Sequence, residues 1–195
     1  LQLFPEASID YWLANINLID YENLLVRAAR AYSEQGYLIL VKDHPSQFGF
    51  RQHELIDRLK SIPNVVFLPY EVSGNEAVSL VGSNFTLTGT LGLQSALLGL
   101  NSVVSPTYYV TEGDFIRFED PSDIAQLPSR CATWQGQRDL PSRQRHILSS
   151  LLEGSFEGDF FSFRGFRRGQ DSTEAKTLAQ NLGQQLKTVI QHGIR

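Results

Sequence analysis

The chain has 195 residues, 42% of them hydrophobic and 19% charged, with a formal net charge of −4 at pH 7. That is enough apolar material for a real core in one domain, or in one domain with an attachment, and so mild a charge argues against a nucleic-acid surface or a strongly charged tail. The single Cys131 excludes an internal disulfide framework and a cysteine metal cluster, and no apolar run approaches the ~18 residues of a membrane span.

Met is absent, including at position 1, and the sequence begins at Leu1 inside what reads as a structured segment. The expectation is an excised domain. Residues 1–15 read as an entry segment joining it to a missing N-terminal domain. Asn17 to Gln35 reads as a helix, because Leu18, Tyr21, Leu24, Leu25, Ala28, Ala29 and Tyr32 recur at helical spacing and Gly36 follows as a stop. Tyr37 to Val41 is a continuous apolar run of the kind found in a central parallel strand. After the loop Asp43 to Phe50, Arg51 to Lys60 reads as a second helix.

Pro63-Asn64 turns the chain into a strand at Val65 to Leu68, and Ser73 with Glu76 forms a capping box for a short helix. Asn84 to Thr88 is a third strand, broken by Gly89 into a helix over Leu91 to Leu98 that ends at Gly99. Ser102 to Ser105 is a fourth strand, Asp114 to Phe118 an edge strand, and Pro121 to Gln126 a short helix. Pro128 to Leu140 reads as a linker, Pro141 to Leu152 as an amphipathic helix, and Asp171 and Glu174 cap a last helix. Strands alternating with helices at these spacings predict an α/β fold, a Rossmann-like open parallel sheet over 16–127 flanked by helices. Residues 128–195 then form a linker and a helical C-terminal tail.

In a parallel sheet the carboxyl ends of the strands face one crevice. Two stretches belong there, Val41-Lys42-Asp43-His44-Pro45-Ser46 and Leu87-Thr88-Gly89-Thr90-Leu91-Gly92. Pro45 biases His44 toward extended backbone. An imidazole there donates a hydrogen bond to a phosphate oxygen or, protonated, offsets charge on a departing nucleotide; the alternative is a histidine bonding loop carbonyls. Gly89 permits a tight turn, and Thr90 is a candidate cap for a helix whose free amides favour an anion. Any strand–glycine–helix junction looks alike, so this stretch gains meaning from its place downstream of the His-Pro turn.

Gln94 and Ser95, on the first turns of that helix, are candidates for the same crevice, Gln94 toward a ribose or base edge. Ser46 and Arg51 flank the His-Pro loop, and Arg51 either pairs with a phosphate or sits on a solvated helix face. Tyr108 and Tyr109 either stack on a base or sugar or are buried loop aromatics. Arg164, Arg167 and Arg168, interleaved with Phe160, Phe161, Phe163 and Phe166, form a basic-aromatic patch. Such a patch meets an anionic acceptor or a membrane surface, or, more commonly, packs on the rest of the protein. No Ser-His-Asp pattern, zinc spacing or Walker loop is present, and Gly89-Thr90-Leu91-Gly92 lacks the third glycine of a dinucleotide fingerprint.

Lys42-Asp43-His44-Pro45-Ser46 with Arg51, followed by Thr88-Gly89-Thr90-Leu91-Gly92-Leu93-Gln94-Ser95-Ala96-Leu97-Leu98-Gly99, resembles the capsular polysaccharide glycosyltransferases of GT-B fold. Within these the stretch is most similar to the Kdo-transferase and bacterial sialyltransferase-like group. Phe4 to Trp12 looks like the segment that joins the two halves of such enzymes, and the resemblance extends from Leu3 to about Tyr109. It implies that this chain is the C-terminal, donor-binding half. It implies a nucleotide-activated sugar as donor, CMP-linked, although CDP- and UDP-linked relatives share similar motifs, and a glycan or lipid-linked glycan as acceptor. By the same likeness His44 is the catalytic residue, contacting the donor phosphate, and Lys42, Pro45, Ser46, Arg51, Thr88, Gly89, Thr90, Gln94 and Ser95 bind the donor. No metal or other cofactor is called for, and the location implied is cytoplasmic, peripheral to the inner membrane.

One position departs from the family: its helix usually carries Glu where this chain has Gln94, a weaker, uncharged acceptor. The readings that stay open are a non-catalytic nucleotide- or glycan-binding module, a teichoic-acid-type glycerophosphotransferase, which also uses a His-Pro loop, and a nucleotide-sugar epimerase.

Overall fold

The computed structural model describes residues 1, 3, 16–44, 49, 51–153, 176, 177, 180–184 and 187. The chain divides into a unit Leu1–Leu148 and a second unit Ser149–Arg195. The first holds the strands β1 (Ile39–Val41), β2 (Val65–Phe67), β3 (Ser83–Phe85), β4 (Asn101–Val104) and β5 (Ile116–Arg117). β1 pairs with β2, β3 with β4 and β4 with β5, all in parallel.

The β1 edge away from β2 is also paired. Leu1 N donates to Leu40 O at 2.9 Å, Lys42 N donates to Leu1 O at 3.0 Å, and Leu3 N donates to Lys42 O at 2.9 Å. This is the slanted alternation of a parallel ladder. Leu1 also lines a small cavity together with Ser83 and Asn84 of β3. The backbone at Leu1 and Leu3 therefore extends the β1–β2 pair on its other edge. The described residues thus form two parallel sheets, β2–β1 with Leu1 and Leu3 on its edge and β3–β4–β5, which meet at the cavity that Leu1 shares with Ser83 and Asn84. That is an α/β, Rossmann-like arrangement. Leu1 and Leu3, expected within an entry segment, are thus part of the sheet; Phe4 to Trp12 lie outside the described residues.

Helices connect the strands. α1 (Tyr21–Glu34) buries Tyr21, Leu24, Leu25, Ala28, Ala29 and Tyr32, the apolar stripe of the sequence. It starts later than the periodicity predicts, because Ile16–Leu18 forms a separate 3-10 turn. Asn64, at a positive φ of 62°, makes the turn into β2, a conformation asparagine tolerates better than most residues. α2 (His53–Lys60) buries Leu55 and Leu59. α3 (Gly74–Ser79) carries the predicted capping box, with Ser73 N donating to Glu76 Oε2 at 2.7 Å and Glu76 N donating to Ser73 Oγ at 3.2 Å. α4 (Thr90–Leu97) follows β3 and packs on β3 and β4. The core joins α1 and α2 to β1, β3, β4 and β5 through Val41, Phe85, Leu87, Val103, Ile116 and Phe118.

The stretch 128–140, expected as linker, begins instead as α5 (Leu127–Thr133), which buries Leu127, Pro128 and Cys131. Proline in the first helical turn costs no hydrogen bond, so Pro128 opens this helix. α6 (Leu140–Glu153) covers the amphipathic stretch predicted at 141–152. In the second unit the described residues Lys176, Thr177, 180–184 and Lys187 are helical. Its capping residues Asp171 and Glu174, and the basic-aromatic patch 160–168, lie outside the described residues. Among the described residues no helix is long and apolar enough to cross a membrane.

One buried carboxylate ties the last strand to α6. Asp114, two residues before β5, has no solvent exposure on its side chain. Its Oδ2 accepts from Thr111 Oγ1 at 2.7 Å and from His146 Nδ1 at 2.6 Å, and Oδ1 accepts from Arg138 Nη1 at 3.2 Å. Burial alone would raise its pKa; the bonds from His146 and Thr111, with the charge and bond of Arg138, outweigh it and hold the carboxyl below its usual range. A carboxyl whose pKa is lower folded than unfolded stabilises the fold above the unfolded pKa, about 4, and loses that contribution as pH falls through the folded value. We therefore predict that Asp114→Asn lowers stability by about 1–3 kcal/mol at pH 7 in urea unfolding. The gap to wild type should narrow below about pH 4. A gap unchanged at pH 3 would contradict this account.

Candidate functional site

Open α/β sheets bind ligands at the carboxyl ends of their strands, and the His44 and Gly89 stretches follow the ends of β1 and β3. Lys42, just past β1, and Leu91, in the first turn of α4, line one cavity of about 30 Å³ with Leu68, Ala77, Val78 and Asn84. The two stretches singled out in the sequence therefore reach one cavity, the first through Lys42 and the second through Leu91.

The organising group on the β1 side is Asp43, which the sequence reading passed over. It is 6% exposed. Its Oδ1 accepts from His44 N at 2.7 Å and from Arg51 Nη2 at 2.7 Å, and Oδ2 accepts from Tyr70 Oη at 2.7 Å. Arg51, with a side chain only 5% exposed, is thus ion-paired to Asp43 and does not sit on a solvated helix face. Lys42 is buried as well; its Nζ donates to Asp43 O at 2.8 Å and lies 5.4 Å from the centre of the Tyr70 ring. Burial and the bond to Asp43 push the Tyr70 phenol up to about 12, so it remains a donor at neutral pH. His44 is half-buried at the end of this network. Pro45 and Ser46 lie outside the described residues.

On the β3 side the helix begins differently from the sequence expectation. Gly89, not Thr90, is the N-cap, with extended backbone at φ −69° and ψ 145°. Thr90 is the first helical residue and is exposed, while Thr88 is buried. The first turn of any α-helix leaves amides without intrahelical acceptors, and here they belong to Thr90 and Leu91; Gly92 N already donates to Gly89 O at 2.8 Å. Ser95 is fully buried, and its Oγ donates to Leu91 O at 2.7 Å, so its hydroxyl is engaged with its own helix. Gln94 is half-buried, and its Oε1 is shielded from water with no donor in reach.

Tyr109 resolves to the bland alternative of a buried loop aromatic, yet it has a use. At 1% exposure its Oη donates to Gly89 O at 2.7 Å and so fixes the N-cap from the loop after β4. Tyr108, by contrast, is 62% exposed and meets Tyr109 edge-on, with ring centres 5.2 Å apart. Asp43 and Tyr70 left little signal in the sequence. An aspartate between a lysine and a histidine reads as part of a polar loop, and Tyr70 arrives from the loop after β2 with no motif of its own.

No family model matches the chain, and no curated protein matches it. Among solved structures it is similar to KpsC, beta Kdo 2,4 transferase, of Thermosulfurimonas dismutans, at 18% identity and a TM-score of 0.43, over 63% of this chain and 36% of that one. The chain thus spans little more than a third of that protein's length. A likeness this loose assigns neither family nor site, and the geometry has to carry the reading.

The packing under α4 explains Gly92. A Cβ there would lie 2.6 Å from both Tyr109 Oη and Val104 Cγ1. Alanine favours a helix interior over glycine by about 1 kcal/mol, but the clash is worth more. We predict that Gly92→Ala destabilises the chain by about 1–3 kcal/mol in urea unfolding. A rise in stability would show that helix propensity outweighs the contact and that Tyr109 does not pin Gly89.

Proposed function

We propose that the Leu1–Leu148 unit is the donor-binding half of a GT-B glycosyltransferase acting in capsule or surface polysaccharide synthesis. The observation that carries the reading is the meeting of two strand ends. Lys42, two residues before His44, and Leu91, in the first turn of α4, line one cavity, and in this reading the imidazole of His44 and the open amides of α4 meet one ligand beside it. An imidazole and free helix amides together suit a phosphate.

In this reading the donor is a CMP-linked sugar. The bond from the anomeric carbon to the phosphate oxygen breaks as a bond to an acceptor hydroxyl forms. His44 donates to the phosphate oxygen that keeps the electron pair, and the amides of Thr90 and Leu91 face the same charge, with Thr88 and Gly89 forming the turn that presents them. Gln94 turns its unsatisfied Oε1 to a ribose hydroxyl, which is a donor. Pro45 and Ser46, next in sequence after His44, are donor-binding residues in the same reading. Arg51 and Ser95 contribute at one remove, through Asp43 and the helix backbone respectively. The acceptor, a glycan or lipid-linked glycan, and the base that takes its proton belong to a second half. The reading places the chain at the cytoplasmic side of the inner membrane.

Gln94 favours one other reading, a nucleotide-binding module without turnover, because a neutral amide grips a hydroxyl less strongly than a carboxylate. Chemical-shift titration with CMP, CDP, UDP and inorganic phosphate tests both. We expect weak, saturable binding with CMP preferred, and His44→Ala weakening it about tenfold or more. Joined to an acceptor-binding half, the same variant should lose about 100-fold or more in transfer rate. Loss of affinity with no transfer by wild type supports the module. Absence of nucleotide binding, or indifference to His44→Ala, refutes the proposal.

A further inference from the structure

We propose that Asp43 is the positioning residue of this site: it presents His44 by holding the backbone at the turn, and Tyr70 and Arg51 exist to hold Asp43. The inference rests on the reading that His44 meets the donor phosphate, and deepens it.

The geometry is specific. Asp43 stands at the first residue beyond the β1 ladder, where the chain leaves regular pairing. The Oδ1 atom takes His44 N at 2.7 Å, so the direction in which the backbone departs the sheet is tied to the carboxylate. That carboxylate is fixed from two other elements. Arg51 reaches it from the residues before α2, at 2.7 Å, and Tyr70 from the loop after β2, at 2.7 Å. A fourth side chain closes the frame, since Lys42 donates to the carbonyl of Asp43 at 2.8 Å while lying over the Tyr70 ring. Buried charges are costly unless paired and hydrogen-bonded, and these are both. Charge-assisted bonds of this kind are short and directional. The arrangement orients one backbone turn from three sides, and the residue on that turn is His44.

A simple counterweight to Arg51 would also place a carboxylate here, and the two roles predict opposite results. Removing a mere counterweight leaves an unbalanced guanidinium, and an anionic ligand then binds more tightly. Removing a positioning group displaces the imidazole, and the ligand binds less tightly. Asp43→Asn makes this distinction at nearly constant size. Tyr70→Phe removes one donor with no change of charge and keeps the test decisive where Asp43→Asn fails to fold.

The experiment follows the His44 ring resonances of the full chain by NMR, through a pH titration and through titration with CMP. We expect both variants to move the His44 signals. We expect the CMP dissociation constant to rise about tenfold for Asp43→Asn and severalfold for Tyr70→Phe. Ser73→Ala, which removes the cap of α3, lowers stability but leaves His44 in place and controls for general loosening. Tighter CMP binding in Asp43→Asn overturns the proposal in favour of the counterweight. Unmoved His44 signals in both variants also overturn it. If wild type binds no CMP, the donor-binding reading falls, while the His44 signals still decide whether Asp43 positions the turn.

Discussion

The parallel ladder at the centre of the sheet is the constraint on which the remaining arrangement depends. Leu1 and Leu3 bond to the β1 edge that β2 leaves open, so β1 is paired on both sides. Because β1–β2 and β3–β4–β5 are each parallel and helices connect the strands, the carboxyl ends gather loops rich in function while the amino ends receive returning helices. The end of β1 and the start of α4 meet at the cavity lined by Lys42 and Leu91, beside which Leu1 also sits.

The two walls of the crevice are held by different physics. The start of α4 is held by packing. Gly92 lets Val104 and Tyr109 come close, Ser102 Oγ donates to Gly92 O at 2.7 Å, and Tyr109 holds Gly89. The interior there is close-packed, so a single added carbon is felt. The end of β1 is held by polar bonds that converge on Asp43, with cations and a phenol drawn from separate elements. Close packing resists displacement in every direction, whereas a carboxylate network fixes orientation and depends on each partner remaining in place. Changes on the α4 side should therefore register first as stability, and changes on the β1 side first as the conformation of one turn.

Much of the fold was legible because its signals are local. The apolar stripe of α1, the Ser73–Glu76 box, Asn64 and the strand runs each act within a few residues of where they stand. The misreadings share a different cause. Pro128 looked like a breaker because proline usually is one, and only its place in the first turn of α5 reverses that meaning. Thr90 looked like a cap because threonine caps well, but Gly89 takes that position where Tyr109, 20 residues on, holds its carbonyl. Leu1 and Leu3 looked like approach to the domain because their partner, β1, lies 39 residues away.

The same distinction governs the site. Residue types at strand ends pointed to a place for a ligand, since alternating strands and helices bring strand ends to one side of a sheet. They did not tell which side chains are free to meet it. Lys42 and Arg51 both looked like phosphate partners by charge alone, yet Lys42 is engaged by the Asp43 carbonyl and the Tyr70 ring, and Arg51 by the Asp43 carboxylate. Charge in a sequence counts groups; burial and pairing decide which of them project a field into solvent. With both cations compensated at close range, the positive character left to the crevice comes from fixed backbone amides and from whatever proton the imidazole carries. In the donor-binding reading such a site discriminates by where its dipoles point, and there a carboxylate that only orients backbone matters as much as a residue that touches the ligand.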